Sequence, residues 1–375
     1  MNCSNSSVVT YETNFNTHSS TAPSSTFLLV TACILIIIII AAIIGNLLVC
    51  VAILVNKQLR SSPTMLFIFS LAISDLLTAS LSMPFDVDQQ LVGHKWTHSE
   101  GLCVAWTTTY LVTVPSSIWN LLVVSVDRYK SLKDPLNRYR QCPFMTRTRA
   151  FVVIVFVWVY SVLFALIPVM GWKFRSYSVE ENICYFNITE QYSILSSFVN
   201  FIFPLLVMCF LYFKIFMIAR NIQNSKFEGC TSELMSADGN LESALKRSKR
   251  QKRYKKRFKR NMKAAKNILT IVCAFFFCWM PHTLLSLAVI FHGEEQPPKI
   301  PPELPFIFLL LGYLNSALNP PLYTFHNKRF RETYVKCLGI RREISQPKRS
   351  SNNTAMTHLE RGSTMRHTKD NRAIR

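Results

Sequence analysis

Seven long apolar stretches recur along this chain, each followed by a polar and often basic segment. The first, from Phe27 to Asn56, contains no charged residue, and comparable runs follow at about 64–88, 102–126, 150–171, 192–219, 264–292 and 304–325. An α-helix needs roughly 20 residues to cross a hydrocarbon core of about 30 Å. Such a core holds no water to satisfy free backbone groups, so each run is predicted to be helical. A soluble core would need all seven buried without a polar face, which argues against it. The expected fold is therefore an all-α membrane protein, a seven-transmembrane helix bundle. The third run ends in Asp127-Arg128-Tyr129. Charges there are costly unless they pair or face a protein interior, which marks the triplet as functional.

Half of the residues are hydrophobic, yet the net charge is +21. Position reconciles the two facts. Residues 1–56 carry no Lys or Arg. If that end lies outside the cell, the later outer loops hold only Lys95, Lys173, Arg175 and Lys299, leaving 38 of the 42 basic residues on the other side or at its helix ends. This asymmetry predicts an extracellular N-terminus and a cytoplasmic C-terminus. The first run is too long for a signal-peptide core and follows a largely polar segment, residues 1–26, so it is read as a retained span.

The sequons at Asn2, Asn5 and Asn187 fall on the outer side and are candidates for glycosylation; Asn352 also matches but lies on the cytoplasmic side. Five of the eleven cysteines, Cys33, Cys50, Cys209, Cys273 and Cys278, lie in spans and are read as small buried hydrophobes. Cys103 and Cys184 lie outside, where oxidation is permitted. A bridge between them would pin the second outer loop over the bundle, with Cys3 as an alternative partner.

Over residues 27–338 the chain resembles the rhodopsin-like (class A) G-protein-coupled receptors. The resemblance is carried by Gly45-Asn46, Leu71-Ala72-Ile73-Ser74-Asp75-Leu76, Cys103, Asp127-Arg128-Tyr129, Trp158, Pro204 with Tyr212, Cys278-Trp279-Met280-Pro281 and Asn319-Pro320-Pro321-Leu322-Tyr323, in order. It divides the chain into a glycosylated extracellular segment 1–26, a receptor domain 27–338 with a basic third inner loop at 221–262, and a disordered cytoplasmic tail 339–375. It also implies a plasma-membrane location and a heterotrimeric G protein as partner.

The resemblance implies particular roles. Asp75, Ser117, Asn315, Ser316 and Asn319 look like the family's sodium pocket, the one metal or cofactor expected; hydroxyl and amide oxygens suit a hard cation. The alternative is a protonated Asp75 in a hydrogen-bond network. Ile118, Pro204 and Phe275 match a packing switch below the ligand site, with Trp279 one turn further out. Pro281 removes a backbone hydrogen bond and kinks the sixth helix, giving it a pivot. Arg128 is expected to pair with Asp127 at rest and to turn to Tyr212, Tyr323 and the G protein on activation. Leu136 looks like the apolar knob of the second inner loop.

Two departures matter at the inner face. Asn261 stands where the family often places an acid that locks the arginine, which predicts raised basal activity. Pro321 removes a further amide donor.

For the ligand, Tyr110 replaces the aspartate by which amine receptors hold an ammonium, although Tyr313 stands where they place the tyrosine supporting that aspartate. Ser196, Ser197 and Asn200 are read as one face of the fifth span, and Pro204-Leu205-Leu206-Val207-Met208-Cys209 reads like histamine and other amine receptors. Asp86 or Asp88 is a candidate displaced counter-ion, with solvated rim carboxylates as the alternative. His282, Thr283 and Ser286 complete the candidate pocket with Trp279. The favoured agonist is an amine-like small molecule. Phe186 after Cys184-Tyr185, with Met170-Gly171-Trp172, instead resembles nucleoside and lysolipid receptors. A ligandless, constitutively active receptor is a third reading. Tyr313 also occupies the place of the retinal-binding lysine, so an opsin is excluded.

The run from Lys246 to Arg257 reads as a helical extension of the sixth span, a lipid contact or a G-protein contact. After Tyr323, a short amphipathic helix is predicted to rest Phe330 and Tyr334 in the lipid interface, with Cys337 placed for palmitoylation. Ser350, Ser351, Ser363 and Thr364 are candidate sites for a receptor kinase, creating contacts for an arrestin-like partner. Membrane lipids are the remaining expected partner, and no nucleic acid is expected. The eight histidines are scattered without ligand spacing, and no internal repeat suggests a transporter. Neither an enzyme nor a transporter is expected.

Overall fold

The computed structural model describes residues 23–93, 95–133, 144–173, 175–232, 241–292, 300–326 and 328–337. Among them, α1 is Ser25–Val55, opened by Ser24, whose hydroxyl accepts from the Phe27 amide at 3.2 Å. Helix α2 joins Pro63–Leu77, a π turn at Thr78–Ser82 and Met83–Leu91. Helix α3 is Glu100–Lys133 and α4 is Arg147–Leu166. Helix α5 joins Glu190–Ser197, a second π turn at Phe198–Ile202 and Phe203–Ser232. Helix α6 is Leu241–His292, α7 is Leu304–His326 and α8 is Lys328–Cys337.

Six of these helices, α1 to α6, are long and apolar enough to cross a membrane. In α7 the apolar run is interrupted by Asn315, Ser316, Asn319, Pro320 and Pro321. Those polar side chains are buried against the other helices, whereas large apolar residues such as Ile37, Phe156 and Phe277 point outward and are mostly exposed. That inversion is expected when the surrounding solvent is lipid and polar atoms must find partners inside the bundle.

Buried polar contacts fix the register of the bundle. Ser70 accepts from Trp158 Nε1 of α4 at 2.9 Å and from Asn120 Nδ2 of α3 at 3.1 Å. One turn on, Ser74 donates to the Thr113 carbonyl at 2.8 Å and Thr78 donates to Thr113 Oγ1 at 2.9 Å. On the opposite side, Gly45 lets α1 close on α7: a Cβ there would lie 2.8 Å from Pro320 Cγ. Asn46 Nδ2 then donates to the Ser316 carbonyl at 3.0 Å.

Between α4 and α5, β1 (Val179–Glu180) and β2 (Ile183–Cys184) form an antiparallel hairpin. Its two-residue turn places Glu181 and Asn182 at φ 50° and 61°, the left-handed pair that matches strand twist.

Two expectations are corrected. The 221–262 segment is not a loop throughout, because α5 runs to Ser232 and α6 begins at Leu241, so the Lys246–Arg257 run is helical along its backbone. Phe330 does not rest in the lipid interface: it is fully buried and stacks on Tyr323 at 6.1 Å, with Tyr334 half-buried beside it. A ring that reaches the bundle core buries more apolar surface there than at a wet interface.

Candidate ligand chamber and signalling core

The hairpin is tied to α3 by a Cys103–Cys184 disulfide with a Cα–Cα distance of 5.7 Å. It brings Phe186 over the bundle, edge-on to Trp106 at 5.6 Å and to Tyr110 at 5.5 Å. Trp96 stacks on Trp106 at 5.7 Å and completes an aromatic roof. Beneath it, Tyr110 lies 5.7 Å from Trp279, which also meets His282 at 6.1 Å and Tyr313 at 6.4 Å. Gly312 makes this possible, since a Cβ there would come within 2.9 Å of the Trp279 ring.

Asp86 is buried in the same region. Its Oδ2 accepts from Tyr313 Oη at 2.8 Å and from Trp106 Nε1 at 3.4 Å. Asp88 instead pairs with His98 at 3.0 Å, both partly exposed. Thr283 donates to the Trp279 carbonyl of its own helix at 3.1 Å, and Ser286 is half-buried on α6.

On the predicted serine and asparagine face of α5, Ser196 and Asn200 do lie together, but Asn200 is turned toward α3 and α4. Asn200 is 3 % exposed, and its Oδ1 accepts from Tyr160 Oη of α4 at 2.7 Å and from Trp119 Nε1 of α3 at 3.4 Å. Its Nδ2 donates to Ser196 Oγ at 3.3 Å. The π turn at Phe198–Ile202 changes the side-chain register, which periodicity of 3.6 did not anticipate. Asn200 therefore braces α3, α4 and α5 instead of lining the chamber; Ser197 is half-buried beside that turn.

Below Trp279, Phe275 follows at 6.4 Å and packs in one buried cluster with Ile118, with Pro204 also buried. Asp75 is 3 % exposed and accepts from Asn319 Nδ2 at 2.8 Å and from the Ser316 side chain. Ser117 donates to Ser74 Oγ at 3.1 Å, adjacent to Asp75 in α2. Asn315 Oδ1 and Asn319 Oδ1 are buried without a hydrogen-bond partner. A carboxyl group hydrogen-bonded to Asn319, with two buried amide oxygens of the same helix unfilled, is a donor set that fits a small hard cation.

At the far end, Arg128 pairs with Asp127 and donates to Thr64 Oγ1 of α2 at 2.7 Å. Thr64 is a partner that sequence reading missed. Asn261 Nδ2 donates to the Ser131 carbonyl at 2.9 Å, linking α6 to α3. Tyr129 packs beside Leu132 and Ile215, and Tyr212 Oη accepts from Ser125 at 3.4 Å. Tyr323 Oη is buried without a partner.

Asn187, the sequon residue of the second outer loop, is held by its own loop. Its Nδ2, the atom a glycan would take, donates to the Arg175 carbonyl at 2.9 Å, and its Oδ1 accepts from the Arg175 amide at 2.7 Å. Asn2, Asn5, Leu136 and the tail lie outside the described residues, as does the Cys337 side chain.

A helix bundle with these buried motifs is a membrane receptor, and residues 45–323 match the 7 transmembrane receptor (rhodopsin family) pattern. The chain belongs to that family, whose members are multi-pass receptors and not enzymes. It is 33 % identical over 311 residues to the "D(5)-like dopamine receptor" of Takifugu rubripes, covering 79 % of this chain and 64 % of that one. It is 32 % identical over 295 residues to the "Histamine H2 receptor" of Cavia porcellus, covering 77 % and 74 %. With the "D(1C) dopamine receptor" of Xenopus laevis it shares 31 % over 323 residues, covering 81 % and 66 %. The chain thus spans about two thirds of the length of those dopamine receptors. Among class A G-protein-coupled receptors it is similar to those for biogenic amines.

Proposed function

We propose that this receptor sits in the plasma membrane with its disulfide end outside, binds an amine-like small molecule there, and activates a heterotrimeric G protein by outward movement of the inner end of α6. The observation that carries this reading is the position of Trp279. Its ring meets Tyr110 and Tyr313 in the outer chamber and Phe275 on its inner side. A ligand that displaces it therefore moves the packing around Ile118. Pro281, two residues further along α6, breaks that helix's hydrogen-bond ladder and provides the pivot.

The inner ends are held by weak ties that a ligand can overcome. Asn261 to the Ser131 carbonyl is one neutral hydrogen bond, worth about 0.5–1.5 kcal/mol net. Once α6 leaves, Arg128 can exchange Asp127 and Thr64 for Tyr212 and Tyr323. A ligand shifts this balance only by binding the open form better.

A sodium ion would be held by Asp75, Ser117, Asn315, Ser316 and Asn319. It would supply a positive charge against the Asp75 carboxylate. Asn319 and Ser316 orient that carboxylate from α7 and so couple α2 to α7 at rest.

The test is a screen of biogenic amines, including dopamine and histamine, with nucleosides and lysolipids, against G-protein dissociation reporters in cells. An amine response that Arg128→Ala abolishes is expected. A response confined to nucleosides or lysolipids would replace the amine reading.

A further inference from the structure

We propose that Asp86 is the counter-ion for the ligand's ammonium, so that the cation is gripped between α2, α3 and α7 instead of by an acid on α3. This inference rests on the amine reading above and names the group that would take the charge.

The position of Asp86 is built into α2. Pro84 has no amide to donate to the carbonyl four residues back, and the turn before it widens into the π turn at Thr78–Ser82. The helix resumes with the Asp86 side chain inside the bundle, 6 % exposed. A carboxylate so placed is costly in a low-dielectric wall, and such groups in membrane bundles mark ligand or ion sites.

Two donors from two other helices converge on it. Tyr313 of α7 reaches Oδ2 at 2.8 Å, and Trp106 of α3 reaches the same oxygen at 3.4 Å. These two donors are neutral, so what they supply is orientation of the carboxylate toward the space between α2, α3 and α7. Tyr313 also borders Trp279, and Trp279 borders Tyr110, so the acid adjoins the chamber's aromatic wall. Aromatic faces attract an ammonium within about 6 Å. At Tyr110 a ring is offered where an acid would otherwise stand, and the nearest buried carboxyl group on this wall belongs to Asp86 of α2. The competing account is a structural staple joining α2, α3 and α7 with no part in binding.

The test uses the full-length receptor in cells at matched surface expression, with a panel of arylalkylamines led by 2-phenylethylamine and its N-trimethyl derivative. 2-Phenylethanol serves as the uncharged counterpart, and G-protein dissociation is the readout. The amines should act and the alcohol should not. Asp86→Asn should raise the half-maximal amine concentration roughly 100-fold, as expected for loss of one partner of a buried charge pair, while Asp86→Glu should retain a response. Adding Tyr110→Asp to Asp86→Asn should restore potency by returning the charge to α3, which a broken staple would not allow. Unchanged potency in Asp86→Asn, or loss without rescue by Tyr110→Asp, overturns the proposal and leaves the amine reading standing. Silence of the wild type to the whole panel overturns both.

Discussion

Gly312 and Trp279 are in contact that only a glycine permits: a Cβ at position 312 would fall 2.9 Å from Cε3 and Cζ3 of the indole. Trp279 is 5 % exposed and ringed by Tyr110, His282, Tyr313 and Phe275, so it has little room to retreat. Gly312→Ala should therefore push the indole from its resting position. Overpacking of this kind costs about 1–3 kcal/mol. The expected outcome is a lower melting temperature in detergent together with altered basal signalling at matched surface expression. A variant identical to wild type in both would mean that the ring tolerates displacement and is not a sensitive link.

The tie between Asn261 and the Ser131 carbonyl bears on resting activity. The sequence alone suggested an unlocked Arg128. The structure supplies two restraints instead, Thr64 on Arg128 and Asn261 on α3. Asn261→Ala should raise basal G-protein exchange by roughly 2- to 10-fold, the range set by losing one net hydrogen bond of about 0.5–1.5 kcal/mol. Asn261→Glu should lower it by adding charge attraction to Arg128. Exchange by unliganded receptor in membranes decides both, and no rise in Asn261→Ala would remove the contact from the resting lock.

Much of this architecture was legible because lipid simplifies the code. Seven apolar runs are visible by length alone, and the triplet at Asp127 and the cysteine pair are fixed by strong chemistry at span ends. What stayed hidden depended on local departures from helical periodicity or on long-range partners. The π turn at Phe198–Ile202 puts Asn200 against Tyr160 and Trp119, which a regular wheel cannot foresee. Thr64 meets Arg128 across 64 positions, and an ordinary threonine in a span carries no signal of that. Phe330 looked interfacial because α8 is amphipathic, but which surface covers its apolar side is a tertiary fact.

Asn187 should carry no glycan despite its sequon. The side-chain nitrogen is spent on the Arg175 carbonyl, and the side-chain oxygen receives the Arg175 amide, closing the loop that leads into α5. In a background lacking Asn2 and Asn5, enzymatic deglycosylation should leave gel mobility unchanged. Asn187→Ala should lower surface expression, because two partly buried backbone groups lose hydrogen bonds worth about 0.5–1.5 kcal/mol each. A mobility shift traceable to Asn187 would contradict the first expectation.

If Asp75 and its amide neighbours hold sodium, the ion should stabilise the resting receptor by mass action. At ten times the dissociation constant the gain is about 1.4 kcal/mol. Detergent-solubilised receptor should therefore melt higher in NaCl than in choline chloride of equal ionic strength. Asp75→Asn should abolish that difference, while Asn315→Ala, which removes one of the unfilled oxygens, should reduce it. A difference that survives in Asp75→Asn would place the ion elsewhere.

The last prediction concerns how α8 is held beneath the bundle. Phe330 is fully buried and stacked on Tyr323, the aromatic end of the Asn319-Pro320-Pro321-Leu322-Tyr323 motif. Asn56 at the end of α1 donates to Thr333 Oγ1 at 2.9 Å, so α8 has a polar tie to the bundle beside the apolar one. Removing a buried phenyl ring costs about 3–5 kcal/mol, well above the roughly 1 kcal/mol of a net hydrogen bond. Phe330→Ala should therefore destabilise the receptor far more than Thr333→Val, measured by melting in detergent. It should also free Tyr323, whose hydroxyl is already buried without a partner. Phe330→Leu, which keeps apolar bulk but not the stacked ring, separates the two effects: melting should largely recover while basal signalling stays altered. If Phe330→Ala melts like wild type, the ring contributes nothing to stability and the polar tie from Asn56 to Thr333 is the more important of the two.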